Sequence, residues 1–305
     1  MGFDTKATQF LLAARALGVS FERTATIGRQ RLCVTPSGLC RSLRRFGFRV
    51  DRRGAARLLS ESEGFAEAFL CFLGARNVVS VDASDYEGAS RILDLNEPIP
   101  ADAEGAFTSV VDAGSLEHVF DFPAAVRNCM RMVAVGGHFL GVTVANNMAG
   151  HGFYQFSPEL FYRVFARHSG FRVERMLLTE TSSARWYEVR DPAAIGSRVQ
   201  FRTFRPAYLC IVARRIGTGP VSATPPQQSD YVSRWKEGTS SITSADGLHP
   251  VERYAPEPVA RSLRSLYHLA QAIALPFDRR SFSRVDISNL RPGRERDALR
   301  DDAGI

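Results

Sequence analysis

The stretch NVVSVD at residues 77–82, together with FTSVVDAGSLEHVFDFPAAVRNCMRMVAVGGHFLGVTVANN at residues 107–147, decides the fold class of this chain. It contains three short apolar runs, at 77–81, 107–111 and 138–144. Such near-continuous runs are typical of strands that are buried on both faces of a sheet. A helical pattern at 121–135 separates the second run from the third. Alternating strands and helices predict an α/β fold with a parallel, doubly wound sheet flanked by helices.

The same alternation continues outward from this stretch. Further strands are predicted at 24–27, 172–178 and 207–213, and further helices at 7–17, 36–46, 65–73 and 157–168. The last of these helices has the start signals of Ser157 as N-cap and Pro158 at the first helical position. Residues 49–64 are polar and rich in arginine, without a clear period.

Composition excludes several classes of protein. The chain has 305 residues, of which 45% are hydrophobic and 23% charged, as in globular proteins. This excludes a fully disordered chain, a collagen-like fibre and a disulfide-dense miniprotein. The five cysteines stand without a CxxC pair, so a zinc or redox motif has no support and no metal site is expected.

The cellular location is predicted from the absence of long apolar segments and of a secretory signal pattern in the sequence. The longest uncharged apolar stretches fall short of the ~20 residues that a membrane span needs. The first 17 residues contain Asp4, Lys6 and Arg15 and show no secretory cleavage pattern. A cytoplasmic location is therefore expected.

The charge is concentrated near the amino terminus. Residues 1–57 hold 12 basic and three acidic side chains, while the whole chain has a net charge of +7. This basic region is either a solvated face or an attraction for an anionic small-molecule acceptor. Aromatic residues are not interleaved with these arginines, so nucleic acid is not an expected partner.

The amino-acid composition of the chain changes after residue 216. Residues 217–250 are rich in Gly, Pro, Ser and Thr, which predicts a linker or disordered segment at 217–255 between a domain at 1–216 and a carboxy-terminal helix and tail at 256–305. Apolar residues at helical spacing over 256–277 predict a helix that packs on the domain or binds a protein partner or a membrane surface. Residues 278–305 are expected to be frayed.

Polar side chains follow the predicted strands in phase. Asp82 and Asp112 end two of them, Asp94 follows the short run 91–93, and Asn146 and Asn147 follow the third. In doubly wound sheets, ligands bind beyond the carboxyl ends of the strands, and an acid after the second strand suits ribose hydroxyls. The pattern favours a nucleotide-like ligand.

Residues 77–147 resemble the core of class I S-adenosylmethionine-dependent methyltransferases. NVVSVD resembles the second strand of that family with its ribose-binding acid, and 107–147 resembles its fourth strand, helix and fifth strand. The piece Leu116-Glu117-His118-Val119 is similar to the ubiquinone-type branch, in which a Glu-His pair follows the fourth strand. The resemblance covers roughly residues 20–215.

The resemblance implies a Rossmann-like fold, methyl transfer and S-adenosylmethionine as the cofactor. It assigns cofactor binding to six residues: Gly28, Asp82, Asp94, Asp112, Gly114 and Glu117. The glycine-rich loop of the family is absent. Its best substitute is the turn at Gly28, and the segment 47–54 is the alternative. The long interval from Gly28 to Asp82 implies an insertion between the first two strands.

The resemblance also suggests acceptor-side residues. A general base helps when the acceptor is a hydroxyl, and the candidates for catalysis are His118, His151 and Tyr154. Asn146, Asn147 and Gln155 are candidates for substrate binding, because they flank the glycine-bordered loop after the third strand. His138, at the head of that strand, is expected to be structural.

Two functions of different classes follow. The first is an enzyme that methylates a small-molecule or glycan-precursor acceptor on oxygen. The second is a non-catalytic binding or scaffold protein that keeps the fold, and it gains if Arg29 or Gln30 fills the cofactor pocket. An NAD-type oxidoreductase would need a G-x-G-x-x-G motif that the chain lacks.

Overall fold

The computed structural model of the protein describes residues 2–219, 225–237, 256–259, 261–263, 265–266 and 279–292. Its helices are α1 (Thr5–Ala16), α2 (Pro36–Arg45), α3 (Arg52–Ser60), α4 (Glu67–Phe72), α5 (Phe122–Met132), α6 (Pro158–Val164), α7 (Pro192–Ile195) and α8 (Ser229–Glu237). Its strands are β1 (Arg23–Ile27), β2 (Asn77–Asp82), β3 (Arg91–Ile92), β4 (Phe107–Ala113), β5 (Val133–Asn146), β6 (Phe171–Glu180), β7 (Trp186–Val189), β8 (Ala207–Arg215) and β9 (Phe282–Val285).

The nine strands form one sheet in the order β3-β2-β1-β4-β5-β8-β6-β7-β9. Strands β1 to β5 are parallel to one another and follow the order 3-2-1-4-5 of doubly wound sheets. The predicted α/β fold with a sheet flanked by helices is confirmed.

The expectation of an entirely parallel sheet is wrong beyond β5. Strand β8 lies between β5 and β6 and runs antiparallel to both, and β7 is antiparallel to β6 and β9. The connection from β6 to β7 spans only residues 181–185. That is too short for the crossover of a dozen or more residues that a parallel pair requires.

Helices cover both faces of the sheet, and neighbouring side chains of each central strand face opposite cores. Val111 and Leu140 pack with α1, α2 and α4, whereas Val110 and Phe139 pack with α5 and α6. Burial on both faces explains why these strands read as continuous apolar runs.

The predicted insertion between β1 and β2 consists of three helices, α2, α3 and α4. Helix α3 was not predicted from the sequence, because Ala55 is its one fully buried side chain and its arginines are solvated. The predicted cap of α6 is present, since the backbone N–H of Leu160 donates to Ser157 Oγ at 3.4 Å.

The predicted linker contains an ordered part. Helix α8 lies within 217–255, and its first residue donates from backbone and hydroxyl to Glu159 of α6. Asp230 also pairs with Arg198 at 2.7 Å. Residues 238–255 lie outside the described residues.

The expectation of a frayed tail at 278–305 is wrong for residues 279–292. Strand β9 pairs with β7 at the edge of the sheet, and Ile287 is fully buried against α1. Within the predicted helix at 256–277, the described residues include helical turns on which Val259, Leu263 and Leu266 are exposed. Residues 267–278 and 293–305 lie outside the described residues.

Among the helices in the described ranges, none has the length and apolar character to span a bilayer.

Candidate functional site

A cleft of about 530 Å³ opens at the carboxyl ends of β1, β2 and β4. In the sheet, β1 lies between β2 and β4, so the order of the strands reverses next to β1. Open α/β sheets bind their ligands at such a switch point. The volume is that of a small-molecule site, which typically measures roughly 300–1,000 Å³.

Gly28 forms the floor of the turn that follows β1. Its backbone N–H donates to Val81 O at 2.7 Å, and its φ of +72° lies in the left-handed region. A Cβ atom there would lie 3.0 Å from Ser115 Oγ and 3.7 Å from Asp82 Oδ2. Of the two alternatives for the cofactor turn, the wall of the cleft includes Gly28 and none of residues 47–54.

Arg29 and Gln30 leave the cleft open. The guanidinium of Arg29 pairs with Glu67 at 2.7 Å and lies 4.0 Å from the ring centroid of Phe65. The side-chain amide of Gln30 is buried in the wall, where it donates to Ile27 O and to Ser115 Oγ. The bonds of Gln30 join the end of β1 to the turn after β4, and both residues line the cavity without closing it.

The wall of the cleft is acidic. Asp82, Glu87 and Asp94 all line it. Hydrogen bonds from the backbone and side chain of Asn96 lower the pKa of Asp94. Arg29 is paired with Glu67 and Glu87 with Arg31. The carboxylates of Asp82 and Asp94 therefore set the charge of the cleft, which favours a ligand that carries positive charge.

Two of the six predicted cofactor residues, Asp112 and Glu117, do not line the cleft. The other four line it: Gly28, Asp82, Asp94 and Gly114. Asp112 is buried and accepts hydrogen bonds from the backbone N–H groups of Ser115 and Leu116, so it holds the turn after β4. Burial, and then the charge of Glu117, raise the pKa of Asp112 well above its usual value. Glu117 is fully buried and accepts a hydrogen bond from Thr143 Oγ1 at 3.1 Å.

The two predicted catalytic histidines meet beside the cleft. His118 lines the cleft and follows β4, whereas His151 comes from the loop after β5. Their ring centroids are 5.0 Å apart, and His151 Nε2 lies 3.7 Å from Glu117 Oε1. Partial burial, and then the neighbouring His151, lower the pKa of His118; burial also lowers the pKa of His151. His138 is buried elsewhere, 3.3 Å from Glu174.

The other predicted acceptor-side residues hold loops in place. The Tyr154 hydroxyl donates to Phe120 O at 2.6 Å, and Gln155 Oε1 accepts from the Met148 N–H at 2.9 Å. Asn146 and Asn147 donate to Thr203. Their polar groups are engaged with the protein, and none of the four lines the cleft. The catalytic roles predicted for Tyr154, His118 and His151 stay predictions.

Sequence reasoning missed two aromatic residues at this site. Phe120 and Phe153 line the cleft, are 74% and 66% exposed, and meet edge to face with ring centroids 5.7 Å apart. Phe120 stands two residues after the Glu-His pair, and Phe153 stands two residues after His151. Large exposed aromatic side chains beside a cleft mark a surface for a ligand.

No family model matches the chain, and no curated protein matches it. Among solved structures, it is similar to 1,6-didemethyltoxoflavin-N1-methyltransferase from Burkholderia thailandensis, at 15% identity over 69% of this chain and 79% of that one, with a TM-score of 0.36. It is similar to an S-adenosylmethionine-dependent methyltransferase from Mesorhizobium loti, at 15% identity over 70% and 98% of the two chains, with a TM-score of 0.38. The [4+2]-cyclase SpnF matches at 15% identity over 72% and 83%, with a TM-score of 0.35.

Proposed function

We propose that this chain binds S-adenosylmethionine in the cleft at β1, β2 and β4 and transfers its methyl group to a hydroxyl of a small-molecule acceptor. The observation that carries the proposal is the position of Asp82, whose carboxylate faces Gly28 across the switch point of the sheet. An acid at the end of the second strand suits the ribose hydroxyls of an adenosine group.

The residues of the cleft fit that cofactor. Asp82 would accept from the ribose, and the apolar side chains of Leu93 and Val119 offer surfaces to the adenine. Gly28 and Gly114 leave room for the amino-acid part beside the backbone. The acidic wall suits a cationic sulfonium better than the pyrophosphate of a dinucleotide. The next helix after β1 begins only at Pro36, so the phosphate site at a helix N-terminus, typical of dinucleotide folds, is not formed there.

When bound, the sulfonium supplies an electrophilic methyl group that needs alignment with the acceptor more than activation. The chain provides the alignment. The wall segment from Gly114 to Phe120 and the loop carrying Phe153 face the same cleft as Asp82. Closure by these aromatic side chains would exclude water from the reacting atoms.

The acceptor is proposed to have a planar or apolar part. Phe120 and Phe153 present exposed ring surface to the cleft, and His118 places an imidazole next to them. Such surfaces bind flat or apolar groups by stacking and burial. We also propose that the methyl group is transferred to oxygen. We propose an anionic acceptor because the amino-terminal region of the chain is basic.

The proposal also includes the division of the chain and its location. Strand β8 ends at Arg215, which supports a domain at 1–216, although β9 adds a strand from the far end of the chain. A cytoplasmic location is proposed from the hydropathy of the sequence and its unpaired cysteines.

Calorimetric titration tests the cofactor proposal. The purified full-length protein should bind S-adenosylhomocysteine with a micromolar dissociation constant, because several hydrogen bonds and an apolar wall act on one ligand. NAD⁺, which brings a pyrophosphate to the same acidic wall, should give no heat under the same conditions. A folded sample that shows no heat with millimolar S-adenosylhomocysteine would overturn the proposal and leave the non-catalytic binding or scaffold protein.

A further inference from the structure

Three side chains with metal-ligating atoms gather next to the cleft. Glu117 and His118 belong to the turn after β4, and His151 belongs to the loop after β5. One ligand atom from each lies within 4.8 Å of the others. Among the described residues, no other group of three histidine, cysteine, aspartate or glutamate side chains has ligand atoms this close together.

Two atoms of this group are buried without a hydrogen-bond partner. Thr143 donates to Glu117 Oε2, which leaves Glu117 Oε1 unpartnered, and His151 Nε2 is unpartnered as well. The two atoms face each other at 3.7 Å, which is too long for a hydrogen bond. A buried polar atom without a hydrogen-bond partner is destabilising, and one ligand bound to both atoms would remove that penalty.

We infer that Glu117, His118 and His151 form a site for one divalent first-row transition-metal ion, such as Zn²⁺, Co²⁺ or Mn²⁺. A carboxylate oxygen with two imidazole nitrogens is a ligand set that suits these ions, and three protein ligands leave at least one position open. The sequence predicted no metal because it lacks paired cysteines, but this set uses none.

The distances require a small closure of the site. Ligand atoms at about 2.0–2.2 Å from an ion lie about 3–3.5 Å from one another, whereas the group spans up to 4.8 Å. The loop of His151 can make this movement, since Gly150 and Gly152 flank the histidine.

Contacts around the group hold its members in register. The backbone N–H of Phe153 donates to Glu117 O at 2.8 Å, and a Cβ atom on Gly152 would lie 2.7 Å from that same oxygen. Glycine at 152 therefore lets the His151 loop approach the turn of Glu117. The hydroxyl of Thr143 orients the carboxylate from behind, as outer-shell partners of metal ligands do. Thr143 is thus a positioning residue for the ion.

The chemical role of the ion rests on the proposed function, whereas the existence of the metal site does not depend on it. His118 both belongs to the group and lines the cleft, so an open position of the ion would be accessible from the acceptor side. A divalent ion held there would lower the pKa of an acceptor hydroxyl placed against it, so that the proton could leave to solvent before the cleft closes and the methyl group is transferred.

Metal titration of the chelator-treated full-length protein tests the site without cofactor or acceptor. Co²⁺ should bind with a stoichiometry of one and give visible absorption bands of a mixed nitrogen and oxygen site, and Zn²⁺ should displace it. His151→Ala and Glu117→Gln should each weaken binding by at least about 100-fold, and Thr143→Val by about 10-fold. His168→Ala removes an exposed histidine that is not part of the group and should leave binding unchanged.

Binding that survives His151→Ala and Glu117→Gln with unchanged affinity would overturn the site, as would the absence of stoichiometric binding to the folded wild type. Circular dichroism of each variant distinguishes loss of ligands from loss of fold. A protein that binds Co²⁺ but not S-adenosylhomocysteine would refute the proposed function and support the metal site. A protein that binds S-adenosylhomocysteine but not Co²⁺ would support cofactor binding and refute the metal site.

Discussion

Replacing Asp82 with alanine is expected to weaken the binding of S-adenosylhomocysteine by about 10- to 100-fold. The carboxylate lines the cleft at the end of β2 and is half-buried. Hydrogen bonds to a charged group contribute about 1.5–3 kcal/mol, and every ~1.4 kcal/mol is a factor of ten in affinity. Calorimetry on wild type and variant at the same pH and salt measures the difference.

Asp85→Ala is the matched control for this variant. Asp85 carries the same charge three residues later, is exposed, and is not part of the wall of the cleft. Its removal should change affinity less than twofold. Equal affinities for wild type and Asp82→Ala would contradict the placement of the ribose, even if the ligand binds elsewhere on the protein.

Ile287→Ala is expected to lower the free energy of unfolding by about 2–5 kcal/mol, the usual range for truncation of a buried isoleucine. Ile287 is fully buried in the core that contains α1. It follows β9, which adds the last strand to the sheet. Urea denaturation of both proteins gives the difference, provided that each unfolds in one transition.

Val259→Ala is the companion variant for stability. Val259 is an apolar residue of the same carboxy-terminal region, but it is 49% exposed, so its truncation should change stability by no more than about 0.5 kcal/mol. If Ile287→Ala were as mild as Val259→Ala, the segment 279–292 would not be part of the folded domain.

The central strands could be predicted because strands that are buried on both faces consist of nearly continuous apolar residues. Strands β2, β4 and β5 contain the predicted runs, and Asp82 ends β2 as expected. Gly28 was expected at the turn after the first strand, and it forms that turn with a φ of +72°, a conformation that favours glycine.

The edge of the sheet could not be predicted from local pattern. Strand β9 has four residues, FSRV, in a polar region, and its pairing with β7 joins segments about ninety residues apart. A short edge strand needs no continuous apolar run, because one side of it is solvated. Its existence depends on long-range pairing that no short window of sequence encodes.

The site was predicted residue by residue but not as an arrangement. The sequence identified Glu117, His118 and His151, yet their meeting depends on the docking of the loop after β5 against the turn after β4. Tyr154 was predicted to be catalytic from its residue type and its place in the loop after the strand, and its hydroxyl donates to a backbone carbonyl. Phe120 and Phe153 were missed because exposure of an aromatic side chain is a property of the folded surface.

Hydrogen–deuterium exchange with and without S-adenosylhomocysteine tests most directly where the proposed cofactor binds. The account predicts slower exchange in peptides that contain residues 27–31, 81–83, 93–96 and 114–120, which form the cleft at the ends of β1, β2 and β4. A second cleft of about 360 Å³ is lined by residues of α6 and by Arg198 and Gln228. Protection confined to that second cleft, with unchanged exchange at Gly28 and Asp82, would contradict the account.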